Sequence, residues 1–175
     1  MNRTELEIKL NKDRAWTLET FTAMSEADLS RQITTSRHNP EAKWTAKDHL
    51  AHLVGIEKAF NQMIERHLAG NGSSIGLNED GSPRSLEEIM TIVHALNETW
   101  VTEHHHKTFN EVVILGQAIR SETLALIASL TDEQLNEKVP GVPFNDPTIG
   151  GILALNGDHA RQHYEWVKEG LAKRE

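Results

Sequence analysis

Apolar residues recur every three or four positions along almost the whole chain, whereas strict apolar/polar alternation and Asn-Gly turns between β-branched runs are missing. The pattern predicts an all-α protein. A first helix spans about residues 4–24 and turns Leu6, Leu10, Trp16, Leu18, Phe21 and Met24 inward. Ser25 opens a short capped turn, S-E-A-D, and a polar loop containing Pro40 follows. A second helix opens at Trp44-Thr45, carries Leu53, Ile56, Phe60, Met63 and Ile64 on its inward stripe, and ends at Gly70 and Gly72.

Residues 70–84 have loop chemistry, rich in Gly, Ser, Asn and Asp. Ser85 with Glu88 forms a capping-box signature, and the helix it starts aligns Leu86, Ile89, Val93, Leu96 and Trp100 on one face before bending near residues 104–108. A further helix carries Phe109, Val112, Val113, Ile119, Leu126, Ile127 and Leu130. Thr131 begins T-D-E-Q-L, a Pro/Gly loop covers 140–147, and a last helix runs from Thr148 towards Lys173, with 168–175 as its fraying end. Met24-Ser25-Glu26-Ala27-Asp28-Leu29 resembles Leu130-Thr131-Asp132-Glu133-Gln134-Leu135, and each is followed by a loop, a Thr and a helix with Leu-Ala, at Leu50-Ala51 and Leu153-Ala154. Two such helix–turn–helix halves assemble as a four-helix bundle, with the 85–106 segment added in the crossover.

The length, 175 residues, fits one domain over 1–175. Eighteen basic against 26 acidic side chains give a net charge of −8, which lacks the basic footprint of a phosphate-backbone binder, so no nucleic-acid partner is expected. Apolar runs of only a few residues and a polar start, MNRTELEIKL, predict no membrane span and no signal peptide, hence a soluble cytoplasmic protein. Ten histidines stand against no cysteine, which excludes disulfides, thiolate metal sites and a cysteine nucleophile.

His159 and His163 are one turn apart on the stripe that holds Ile149, Ile152, Trp166 and Val167. Two imidazoles on an apolar stripe are costly to desolvate, and a cation satisfies both at once. A hydrogen-bonded pair without metal is the plainer alternative. On the second helix His49 and His52 both lie on the inward side, and position alone does not decide which supplies a third ligand. Three neutral imidazoles suit zinc, nickel, iron or cobalt equally. His104-His105-His106 cannot face one ion, because consecutive helical residues diverge by about 100°. His67 lies near a helix C-terminus, far along the stripe from His52, and His38 and His94 have no partner legible in the sequence.

The segment Trp44-Thr45-Ala46-Lys47-Asp48-His49-Leu50-Ala51-His52-Leu53, with Asp158-His159-Ala160-Arg161-Gln162-His163 far downstream, resembles the DinB/YfiT-like four-helix-bundle superfamily. That resemblance implies metal ligands at His52, His159 and His163 and leaves His49 as a replaceable neighbour. It also implies a homodimer and a small-molecule substrate, in a superfamily that includes thiol S-transferases, isomerases and metal-dependent hydrolase-like members. A divalent ion on three histidines would activate water or a low-molecular-weight thiol, and with no cysteine in the chain such a thiol must come from a cosubstrate. The alternatives are a non-catalytic, metal-stabilised scaffold or binding bundle, and a bundle that holds no metal. Asp158, Glu57 and Tyr164 are acid/base candidates whose helical angles place them at the exposed flank, and Trp44 is expected at the mouth of the site.

Overall fold

The computed structural model describes residues 1–35, 43–71 and 75–173; Pro40, His38 and Gly72 therefore lie outside the described residues. Seven helices among the described residues each begin at a side chain that caps them. These are Asn2 before α1 (Arg3–Thr22), Ser25 before α2 (Glu26–Ser30), Thr45 before α3 (Ala46–Leu68) and Ser85 before α4 (Leu86–His104). Thr108, Thr131 and Thr148 do the same for α5 (Phe109–Ser129), α6 (Asp132–Leu135) and α7 (Ile149–Ala172). At α1, α3, α4, α5 and α6 the residue three positions on bonds back to the cap's own N–H, so two orphan donors are satisfied together.

α1, α3, α5 and α7 form the bundle, with α3 packed on both α5 and α7, and α7 on α1. The added helix of the crossover is α4, which lies against α3. Trp100 covers Gly55 there and donates its indole N–H to Ala51 O at 2.8 Å. The one-sided position explains a departure from the expected face: Ile89 and Val101 are buried, but Leu86 and Leu96 are 65% and 59% exposed because no second element covers them.

A second departure is a small antiparallel ribbon, β1 (Gln32–Thr35) and β2 (Lys43–Thr45), in a segment whose sequence reads as polar loop. Strands this short carry too few residues for a period of two to show. The ribbon pairs Gln32 with Thr45, the cap of α3; in the second half an isolated bridge pairs Lys138 with Thr148, the cap of α7. The internal repeat is thus a repeat of architecture: long helix, capped short helix with a buried leucine (Leu29, Leu135), extended pairing, returning helix.

Two apolar clusters fill the bundle. One holds Leu6, Leu10, Ile64, Ile127, Ile152 and Leu153; the other holds Phe21, Leu50, Val54, Val112, Ile119 and Val167. α5 is the helix among the described residues long and apolar enough to cross a membrane by length and composition, with a mean hydropathy of 1.4 in its most apolar window. Polar residues spaced singly along it hide this from a search for long apolar runs. In the bundle α5 packs on α3 and carries a buried arginine, Arg120, paired with Glu57 of α3.

Candidate metal centre

The Thr45 cap fixes the start of α3, and the next turn turns both His49 and His52 inward, 2% and 3% exposed. From the facing helix α7, His163 is buried and His159 partly buried. His52 Nε2 lies 3.1 Å from His159 Nε2, and His163 Nδ1 lies 2.8 Å from His49 Nδ1. One ring nitrogen from each of His52, His159 and His163 falls within 4.8 Å of the others, a group able to hold a metal ion, and no carboxylate joins it among the described residues. Two nitrogens on one tetrahedral ion at about 2.0 Å stand about 3.3 Å apart. The His52–His159 separation fits that donor set.

Aromatic rings wall the cluster. Trp44, delivered by β2, has its ring 5.3 Å from that of His49 and 5.1 Å from that of His52, and its Nε1–H reaches Glu98 Oε2 at 3.5 Å. Trp166 meets His163 edge-on at 4.7 Å. Burial in this setting holds the imidazoles neutral. It lowers His49 and His159 to about 4, and it drives His52 and His163 far below the usual histidine range, where neighbouring histidines push further in the same direction. Neutral rings keep a lone pair free for a cation.

The structure brings together the three histidines named by the sequence and adds His49, which touches His163 and is more than a bystander. Asp48, beside it in sequence, is also buried, but its oxygens are used by the Thr45 backbone N–H and hydroxyl and by His105 Nδ1 at 3.1 Å. The expected exposed flank is corrected at Glu57, which is 4% exposed and faces the bundle interior as the partner of Arg120. The helical angle misplaced it because α5 supplies a charge that makes burial affordable. Tyr164 packs edge-on against Trp16 and Phe21, and Asp158 is exposed as expected. None of the three reaches the centre as a base. The histidine run diverges as its spacing requires: His104 stacks on Trp100 at 3.9 Å, His105 turns to Asp48, and His106 is exposed. His67, in the last turn of α3, pairs with Glu137 at 2.9 Å.

The sequence profile of the DinB superfamily matches residues 9–167. No curated protein matches the chain in sequence. Among solved structures, the colibactin self-resistance protein ClbS in complex with a dsDNA is similar with a TM-score of 0.72 and 10% identity, covering 99% of this chain and 98% of that one. The sibling lethal factor precursor DfsB is similar at 0.69 and 13%, covering 97% and 94%. An uncharacterised protein from Escherichia coli UTI89 follows at 0.67 and 13%, covering 97% and 92%. At these identities the likeness is one of fold. The ClbS complex overturns the exclusion of nucleic acid drawn above from net charge. A protein of this fold meets a duplex, and such contacts depend on where basic groups lie on a surface, which a sum over the chain does not record.

Proposed function

The chain belongs to the DinB superfamily, and from that membership and the converging imidazoles we propose a metal-dependent enzyme that holds a divalent ion on His52, His159 and His163. The substrate class is a small electrophile attacked by a low-molecular-weight thiol or by water. The observation that carries this reading is the set of three neutral ring nitrogens, two on buried and one on a partly buried histidine, within 4.8 Å of one another. A divalent ion there would supply a Lewis acid that lowers the pKa of a bound thiol or water towards neutrality. Zinc, nickel, iron and cobalt all suit the donor set.

The chain's own residues do the rest. His49 engages His163 Nδ1 and leaves its Nε2 for an ion. Trp44 and Trp166 pack against the rings of His52 and His163 and hold their orientation. The sulfur of a thiol reaction comes from a cosubstrate, because the chain has no cysteine. Elemental analysis of untagged protein tests the reading: about one equivalent of divalent metal is expected, lost in His159→Ala and His163→Ala, and unchanged content in both variants refutes it. Metal without turnover, in a screen of thiols with electrophiles and a hydrolase panel, moves the assignment to a metal-stabilised scaffold.

A second reading takes double-stranded DNA as a partner, favoured by the fold shared with ClbS. Duplex binding that weakens steeply with salt is the expected result, and no binding at low salt removes it.

A further inference from the structure

Between the two apolar clusters every bundle helix turns polar groups inward. Asp13, Arg14 and Thr17 come from α1, Glu57 and Asn61 from α3, Arg120 and Thr123 from α5, and Asn156 from α7. This layer lines a half-open cavity of about 20 Å³ whose polar wall is Asp13, Arg14, Thr17, Glu57, Arg120 and Asn156. Its carboxylates are taken, and the open acceptor of the layer, Asn61 Oδ1, is on a residue outside the cavity wall. Glu57 Oε1 accepts from the Thr123 hydroxyl at 2.7 Å, and Oε2 accepts from Arg120 Nη2 at 3.1 Å. Arg120 Nε adds a charge contact to Oε1 at 2.8 Å that is not aligned as a hydrogen bond. Asp13 is held by Lys9 and by Arg161, each at 2.7 Å.

The donors are in the opposite condition. Arg120, only 9% exposed, has Nη1 buried with no hydrogen-bond partner among the described residues, and so has Arg14 at Nε. Arg14 Nη2 reaches Val113 O at the long distance of 3.5 Å. Gly116 makes room for that guanidinium, since a methyl there would stand 2.5 Å from Nη2. Both carboxylates are hydrogen-bonded to other groups, so Arg14 feels the charge of Glu57 without a bond to it and its Nε–H is left unmatched. Buried N–H groups without acceptors are costly, and guanidinium donors are best satisfied by a planar oxyanion.

We infer that this layer is a buried anion site that takes one carboxylate group between Arg14 and Arg120. The cavity has room for a group of one or two water-sized atoms. Its position suggests two sources for the carboxylate. Asn156 precedes His159 by three residues on α7 and Glu57 follows His52 by five on α3, so the cavity adjoins the histidines along the same helix pair. The group is therefore either a free small ion or one end of a substrate whose other end faces the histidines. The second source rests on the metal reading above, and the first is independent of it.

Thermal melting of the full chain, metal-free and zinc-loaded, separates these at constant ionic strength. Sodium formate and acetate should raise Tm by a few degrees over chloride in the metal-free protein. The rise should disappear in Arg14→Gln and in Gly116→Ala, which crowds the guanidinium. A shift seen only with longer carboxylates on zinc-loaded protein identifies the substrate source. The same shift in wild type and both variants, or none in either form, overturns the site and leaves a layer filled by water. If Arg14→Gln fails to fold, broadening of the ¹³C-formate resonance by wild type but not by Gly116→Ala gives the same decision, and equal broadening by both overturns it.

Discussion

His49 Nδ1 and His163 Nδ1 stand 2.8 Å apart, so one ring must donate and the other accept, and each fixes the tautomer of its neighbour. When His163 donates, its Nε2 carries the lone pair that a metal needs. A partner of this kind typically contributes 10–100-fold in metal affinity. His49→Ala should therefore weaken zinc binding by about that factor, measured by competition with a chromogenic chelator, and His49→Asn should recover part of it. Unchanged affinity in His49→Ala would return the residue to the bystander role that its sequence position suggested.

Acid should unfold the metal-free protein through the same cluster. His49 and His159 take up protons at about 4 in the folded state, whereas the unfolded chain does so near 6.5. Between those values the unfolded state binds more protons, so stability falls as pH drops below about 6.5 and levels off below about 4. Above 6.5 the contribution is fully present. Each such histidine accounts for on the order of 3 kcal/mol. Urea midpoints should decline steadily from about pH 7 to about pH 4, and the decline should shrink in His159→Ala. A flat profile is the contrary result.

The Glu57–Arg120 pair gives a third test. Arg120→Met leaves the buried Glu57 carboxylate with the hydrogen bond from the Thr123 hydroxyl and with only the more distant charge of Arg14, a loss of up to about 3–5 kcal/mol. Glu57→Gln in the same chain should restore most of it, because the uncompensated charge goes. Urea denaturation of the two single variants and the double variant measures the coupling. A single variant within about 0.5 kcal/mol of wild type would mean that water already solvates Glu57.

α4 should respond to one methyl group. Ala at Gly55 would place its Cβ 2.6 Å from the Trp100 indole, which is held by its bond to Ala51 O. The ring must move, at about 1–3 kcal/mol. Gly55→Ala should blue- or red-shift Trp100 emission and speed amide exchange in Leu86–His104, while the metal affinity stays as it was. Unaltered exchange would show that the ring accommodates the methyl in place.

Much of the fold was legible because its signals are local. Ser85, Thr131 and Thr148 mark helix starts by hydrogen bonds within one turn, and the spacing of His159 and His163 places both rings on one side of α7 without reference to any other element. What escaped depends on partners distant in sequence. Glu57 looks like a surface residue until Arg120, 63 positions away, is set against it. The role of His49 needed the orientation of a ring 114 residues downstream. Leu86 and Leu96 follow the helical period yet stay exposed, since periodicity reports which face could be covered and not whether a neighbour arrives to cover it.

The His52–His159 contact spans 107 residues of chain. Closing a loop of that length removes a large share of the conformational freedom of the unfolded polypeptide, and the entropy involved grows only with the logarithm of further length. In a protein without cysteine, an ion held by these two side chains, as proposed above, would join the N-terminal and C-terminal halves as a disulfide does elsewhere. Such a cross-link would be opened by acid or a chelator and, unlike a disulfide, would need no oxidising surroundings to form.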